Sequence, residues 1–164
     1  MVKVEDSPVR EWLTQFFLPK QKCIKNWECT ANQFEWYDLD VTSDTDTHYY
    51  IEVKTRTVKS TDYGALTMIE QDKFNKFWEN RGRVALLILF TDCICWFPPS
   101  RLFDAFTGIA IKYNCADEQH PTTTKEWKRV PKAVGLFDTN KAVKFSYDNY
   151  GGTPTHLFKS PYSG

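Results

Sequence analysis

The chain has no net charge: 21 lysines and arginines offset 21 aspartates and glutamates. Its overall field therefore draws in no nucleic acid, and any grip on phosphates has to come from a local basic patch. No apolar run approaches the roughly 18 residues of a membrane-spanning helix, and no charged-then-apolar leader opens the sequence. A cytoplasmic location without a membrane partner is the expectation. Thiol metal motifs are also missing. Cys23, Cys29, Cys93, Cys95 and Cys115 contain no C-x-x-C pair, so buried free thiols are expected over a zinc or iron–sulfur centre. His48, His120 and His156 are scattered and form no metal motif, and no G-x-S-x-G element offers acyl transfer.

Aromatic residues, by contrast, are plentiful. They make up 16% of 164 residues, which points first to a dense aromatic core and second to surface platforms. The length suits one domain spanning residues 1–164, with a core over about 8–97 and additional elements over 98–164.

The most informative stretch is Phe34 to Lys54, two short apolar-rich runs around the polar segment Ser43-Asp44-Thr45-Asp46. Small polar side chains of that kind bond their own backbone in turns. Side chains alternate along a strand. Asp38 and Asp40 therefore share one face, Glu52 and Lys54 share another, and Ile51 and Val53 point the opposite way. A turn over Ser43 to Thr47 makes an antiparallel hairpin with Asp38 opposite Glu52 and Trp36 opposite Lys54. One reading of this polar face is a solvated surface with cross-strand ion pairs. The other is a hard-cation site: converging carboxylates suit Mg²⁺, which keeps several waters, and a lysine two residues after a ligand can orient or deprotonate the attacking water.

Around the hairpin, Pro8 to Leu18 reads as an amphipathic helix with Glu11 and Gln15 on its more polar side. Lys22 to Thr30 reads as a strand, and Ala65 to Asn80 as a helix with Gln71, Lys73 and Lys76 off its apolar side. Val84 to Phe90 is a nearly continuous apolar run, as expected of a buried central strand. Cys93 to Phe97 is a further strand, and Ser100 caps a short helix through Phe106. Strands are expected at Ile109 to Tyr113 and Val143 to Tyr147, with a polar loop from Ala116 to Thr124 and an irregular tail from Asp148. This order gives an α/β (α+β) fold, a central mixed β-sheet flanked by helices.

Tyr37-Asp38-Leu39 and Ile51-Glu52-Val53-Lys54-Thr55, in this element order, resemble the core of the PD-(D/E)XK nuclease superfamily. Restriction endonucleases and archaeal-type Holliday-junction resolvases belong to that superfamily, and the resemblance covers about Pro8 to Phe97. It implies a restriction-endonuclease-like core that hydrolyses DNA phosphodiester bonds, most plainly as an endonuclease of resolvase or homing/restriction type. Asp38 and Glu52 would bind Mg²⁺, or Mn²⁺ in its place, assisted by the Val53 carbonyl, and Lys54 would position or activate the water. Glu11 stands where many members carry a glutamate that completes the site, and Gln71 where some carry a glutamine. No proline precedes Asp38, and Asp40 is the alternative ligand under a two-residue register shift.

The resemblance makes DNA the expected partner, with RNA as the alternative and a homodimer needed to cut both strands. Phosphate contacts would fall to Lys20, Lys22 and Lys25, Arg56 and Lys59, Lys73 and Lys76, and the cluster Lys125, Lys128, Arg129 and Lys132. Each of these could equally be solvated surface. Two other readings stand beside the nuclease: a catalytically inactive nucleic-acid-binding or assembly protein on the same fold, and an unrelated α/β domain in which E-x-K is coincidence.

Overall fold

The computed structural model describes residues 8–30, 35–115 and 130–154. In chain order its strands are β1 (Ile24–Cys29), β2 (Leu39–Ser43), β3 (His48–Thr55), β4 (Leu66–Glu70), β5 (Val84–Leu89), β6 (Ile94–Phe97), β7 (Phe106–Cys115), β8 (Val130–Asp138) and β9 (Val143–Phe145). The helices are α1 (Pro8–Trp12) and α3 (Gln71–Glu79), while α2 (Asp62–Ala65) is a tight turn whose interior is not helical. No helix among the described residues is long and apolar enough to cross a membrane.

Alternation builds the larger sheet, whose strand order is β1-β2-β3-β5-β6-β9. β2 and β3 pair antiparallel with Leu39 opposite Ile51 and Asp40 opposite Tyr50. Asp38 stands just outside the last pair, Leu39 and Ile51, and its N–H donates to the Ile51 carbonyl at 3.0 Å. The turn closes over Ser43–Thr47: the Ser43 N–H reaches the Thr47 carbonyl at 2.9 Å. In return, the Ser43 hydroxyl accepts from the Thr47 N–H at 3.1 Å. β3 and β5 pair parallel, with Glu52 beside Leu86 and Lys54 beside Ile88. Every residue of β5 is buried, as a parallel strand covered on both faces requires.

That strand feeds two separate cores. Ala85, Leu87 and Leu89 join Leu39, Val41, Ile51 and Val53 beneath Trp12, Leu13 and Phe17. Val84, Leu86 and Ile88 join Phe77, Phe97 and Phe137 on the other side. Each fully buried aliphatic or phenyl side chain contributes about 1.5–3 kcal/mol of hydrophobic stabilisation.

The second core is roofed by α3 and a smaller sheet of order β4-β8-β7. Gly135 of β8 allows this contact, because a Cβ there would lie 3.2 Å from Cδ2 of Phe74 on α3. Ile69 of β4 and Phe137 of β8 belong to the same cluster as Leu86 and Ile88, so the two sheets share one core.

Several sequence expectations are corrected. The helix expected over Ala65 to Asn80 is a strand followed by a helix. Leu66 to Glu70 pairs antiparallel with β8, and α3 starts only at Gln71. Leu66, Ile69, Phe74 and Phe77 satisfy a helical period, but Thr67 and Ile69 are the buried pair of a two-residue alternation. Ser100 to Ala105 is a chain of tight turns rather than a helix, and Phe106 already opens β7. β8 was not expected at all. The first helix keeps α-geometry only to Trp12, then widens into a π turn over Leu13–Phe17 and tightens to a 3₁₀ turn over Leu18–Lys20. Of the cysteines, Cys95 is buried, Cys29 and Cys93 are half-buried and Cys23 is exposed. Phe34, the loop Ala116 to Thr124, His120, Lys125, Lys128, Arg129, His156 and the tail beyond Pro154 lie outside the described residues.

The loop after β3 is pinned from below. The fully buried Thr139 hydroxyl reaches the Ser60 carbonyl at 2.7 Å and the Ala65 carbonyl at 3.0 Å. Between them Tyr63, Gly64 and Ala65 all take positive φ. Thr139→Val keeps the shape and removes the donor, so chemical denaturation should show a loss of about 1–3 kcal/mol. An unchanged unfolding free energy would mean that the hydroxyl does not hold this loop.

Candidate active site

Because β3 alternates, Ile51 and Val53 enter the first core while Glu52 and Lys54 face α3 and the second. α3 buries Phe77 completely. Lys73 lies one helical turn earlier, on the same side of the helix, so its ammonium is carried towards β3.

Glu52 is 2% exposed. Its Oε1 accepts from Lys73 Nζ at 2.6 Å and lies 3.6 Å from Lys54 Nζ. Its other oxygen, Oε2, is buried with no hydrogen-bond partner among the described residues. Asp38 is buried as well, and its Oδ2 accepts from the Val53 N–H at 2.8 Å. One Asp38 oxygen is thereby fixed by the strand that carries Glu52.

The charges act on one another. Burial first, and the Asp38 carboxylate second, push Glu52 up to about 7, against the pull of Lys73 and Lys54. Burial lowers the Lys54 ammonium below its ordinary value; Glu52 resists that shift and Lys73 adds to it. Burial would lower Lys73 too, but the charge and hydrogen bond of Glu52 carry it upward. Lys54 is therefore the ammonium that gives up a proton more readily, and Lys73 the one that stays charged.

The structure brings Asp38, Glu52, Lys54 and Lys73 together and leaves other expected residues apart. Glu11 is exposed in a small cleft of about 210 Å³ with Gln15, Gly151 and Pro154. Its helix packs Trp12, Leu13 and Phe17 against the Ile51 and Val53 face, so Glu11 belongs to the side of the sheet opposite Glu52. Gln71 is exposed at the start of α3, and Lys73 bonds Glu52 in its stead. Asp40 is drawn outward to His48 Nδ1 at 2.9 Å. The Arg56 guanidinium donates to the backbone carbonyls of Met68, at 3.1 Å, and Thr55, at 3.3 Å, tying β3 to β4. Lys22 and Lys59 are exposed, and Lys76 pairs with Glu79 at 3.4 Å. The sequence alone offers Lys73 as a phosphate contact. Its four-residue spacing from Phe77 was the available signal that it turns inward.

Two close carboxylates, one with a buried oxygen lacking a partner, match the donor chemistry of a hard divalent cation. No group of three or more His, Cys, Asp and Glu side chains able to hold a metal occurs among the described residues. Asp38 and Glu52 would thus supply two side-chain ligands, and a backbone carbonyl and waters would complete the set.

The raised Glu52 has a thermodynamic consequence in metal-free protein. Its folded value of about 7 lies above the ordinary 4.5, so between those pH values the folded state keeps a proton that the unfolded state has lost. Stability contributed by Glu52 is full below pH 4.5 and is lost as pH rises through about 7. In EDTA, the unfolding free energy of wild type should fall relative to Glu52→Gln across that window. Parallel pH profiles for the two proteins would show that Glu52 is not perturbed.

No protein-family model matches the chain. A search of curated proteins likewise finds no match. Among solved structures the chain is similar to a nuclease from a fusselovirus at 12% identity, over 86% of this chain and 79% of that one, with a TM-score of 0.39. That overlap is too loose to carry an argument, and the functional reading rests on the site itself.

Proposed function

We propose that the chain is a divalent-metal-dependent nuclease of PD-(D/E)XK type that hydrolyses phosphodiester bonds of DNA, or of RNA in its place, as an endonuclease. The observation that carries this reading is the buried Glu52, whose Oε2 has no hydrogen-bond partner among the described residues, close to Asp38 and between two ammonium groups. A buried charged oxygen without a partner is expensive for a fold that has no use for it.

Asp38, Glu52 and the Val53 carbonyl would hold the ion. When bound, Mg²⁺, or Mn²⁺ in its place, supplies positive charge at the scissile phosphate and at the leaving oxygen. Lys54, which burial makes a weaker base for its proton, orients the attacking water and exchanges a proton with it. Water adds to phosphorus as the bond from phosphorus to the leaving sugar oxygen breaks. Lys73, kept charged by Glu52, offers a cation beside the phosphate. Cutting both strands of a duplex would call for two copies of the chain.

One observation favours a second reading, a nucleic-acid-binding protein without catalysis. Lys54 and Lys73 already balance Asp38 and Glu52 in charge, and Lys73 occupies Oε1 at 2.6 Å.

Cleavage separates the two. A labelled panel of linear duplex, supercoiled plasmid, single strand and four-way junction should be cut with Mg²⁺ or Mn²⁺ and spared in EDTA. Glu52→Gln and Lys54→Ala should each slow cutting by about 10²–10⁴-fold while remaining folded. Wild type that cuts nothing, or folded Glu52→Gln that cuts at the wild-type rate, would overturn the nuclease reading.

A further inference from the structure

We propose that Trp36, Tyr37 and Tyr50 form a stacking ledge that makes unpaired nucleotides the preferred substrate of this site. The proposal rests on the nuclease reading of Asp38 and Glu52.

The three rings touch one another where the chain leads into Asp38 and along β3. Tyr37 and Tyr50 have centroids 4.7 Å apart, Trp36 and Tyr50 5.5 Å, and Trp36 and Tyr37 5.2 Å. Trp36 also meets the buried Phe77 at 6.1 Å, which anchors the group to the second core. All three are half-buried, so the rings are held from behind and reachable in front. Their place in the chain sets their distance from the chemistry. Tyr37 adjoins Asp38. Tyr50 precedes Glu52 by two residues on β3, hence on the same face and about 7 Å along the strand.

Charge supports the same substrate. Duplex binding draws chiefly on phosphate contacts. The chain has no net charge, and among the described residues the cations beside Glu52 are committed to the site itself rather than to a track along a duplex. Lys54 and Lys73 face Glu52, and Arg56 is spent on backbone carbonyls. Stacking needs no such surplus, because every base has a face to offer an aromatic ring. In a duplex those faces are buried against neighbouring base pairs. Only a single strand, flap or splayed junction arm can lay bases on Tyr37 and Tyr50 while its backbone passes Asp38 and Glu52.

The test measures binding in EDTA and cutting with Mn²⁺, using a single-stranded oligonucleotide and a blunt duplex of equal length. Wild type, Tyr37→Ala, Tyr50→Ala and the two Phe variants are compared, the Phe variants keeping the ring should an Ala variant fail to fold. Wild type should bind and cut the single strand in preference to the duplex. Each Ala variant should lose about 5- to 150-fold in single-strand affinity, with the salt dependence unchanged. The Phe variants should stay close to wild type. A 2-aminopurine in the single strand should change its fluorescence on binding wild type but not the Ala variants. Metal-dependent cutting that prefers duplex, or folded Ala variants with wild-type single-strand affinity, would remove the ledge and leave the nuclease reading standing. Absence of any cutting by wild type would remove both.

Discussion

The bond between Lys73 and Glu52 is the contact on which the rest of the site depends. A carboxylate that is 2% exposed, beside a second carboxylate, needs a compensating cation. Lys73 Nζ provides it at 2.6 Å, from a helix rather than from the strand that carries Glu52. That reach is possible only because α3 is pressed onto the sheet by Phe77 and onto β8 where Gly135 has no side chain to oppose Phe74. The hydrophobic packing of one helix thus decides the electrostatics of one carboxylate. The same packing anchors Trp36 through Phe77, so the ring cluster and the charge cluster share one support.

The division of the sheet into two faces explains much of what the sequence revealed. The hairpin was legible because alternation and turn chemistry agree: Leu39, Val41, Ile51 and Val53 demand one face, and Ser43 to Thr47 closes the turn. The observed register pairs Leu39 with Ile51, and Asp38 stands as a bend beside β3 rather than as a further pair of the ladder. β5 was legible because seven apolar residues in succession leave little but a doubly covered strand.

Where two periods fit the same residues, the sequence does not separate strand from helix. Leu66 to Ile69 is too short to separate a strand from the first turn of the following helix, and the pairing with β8 decides it. β8 went unread because proline follows its first residue and lysine and glycine interrupt its apolar positions. Glu11 shows a different limit. Its place on the first helix was read correctly from spacing, but the face of the sheet that the helix covers is a tertiary fact. Trp12, Leu13 and Phe17 bury themselves on the Ile51 and Val53 side, and Glu11 goes with them, away from Glu52. Lys73 is the converse case: a lysine among lysines in sequence, distinguished only by the packing of Phe77.

The account's central claim is that Asp38 and Glu52 together hold a divalent ion. The most direct measurement is anomalous diffraction from crystals of the protein grown with Mn²⁺. The account predicts a single manganese peak within coordinating distance of both carboxylates, with the Lys73 ammonium withdrawn from Oε1 or sharing it. A fully ordered site without manganese, in which Lys73 still bonds Glu52, would contradict the claim.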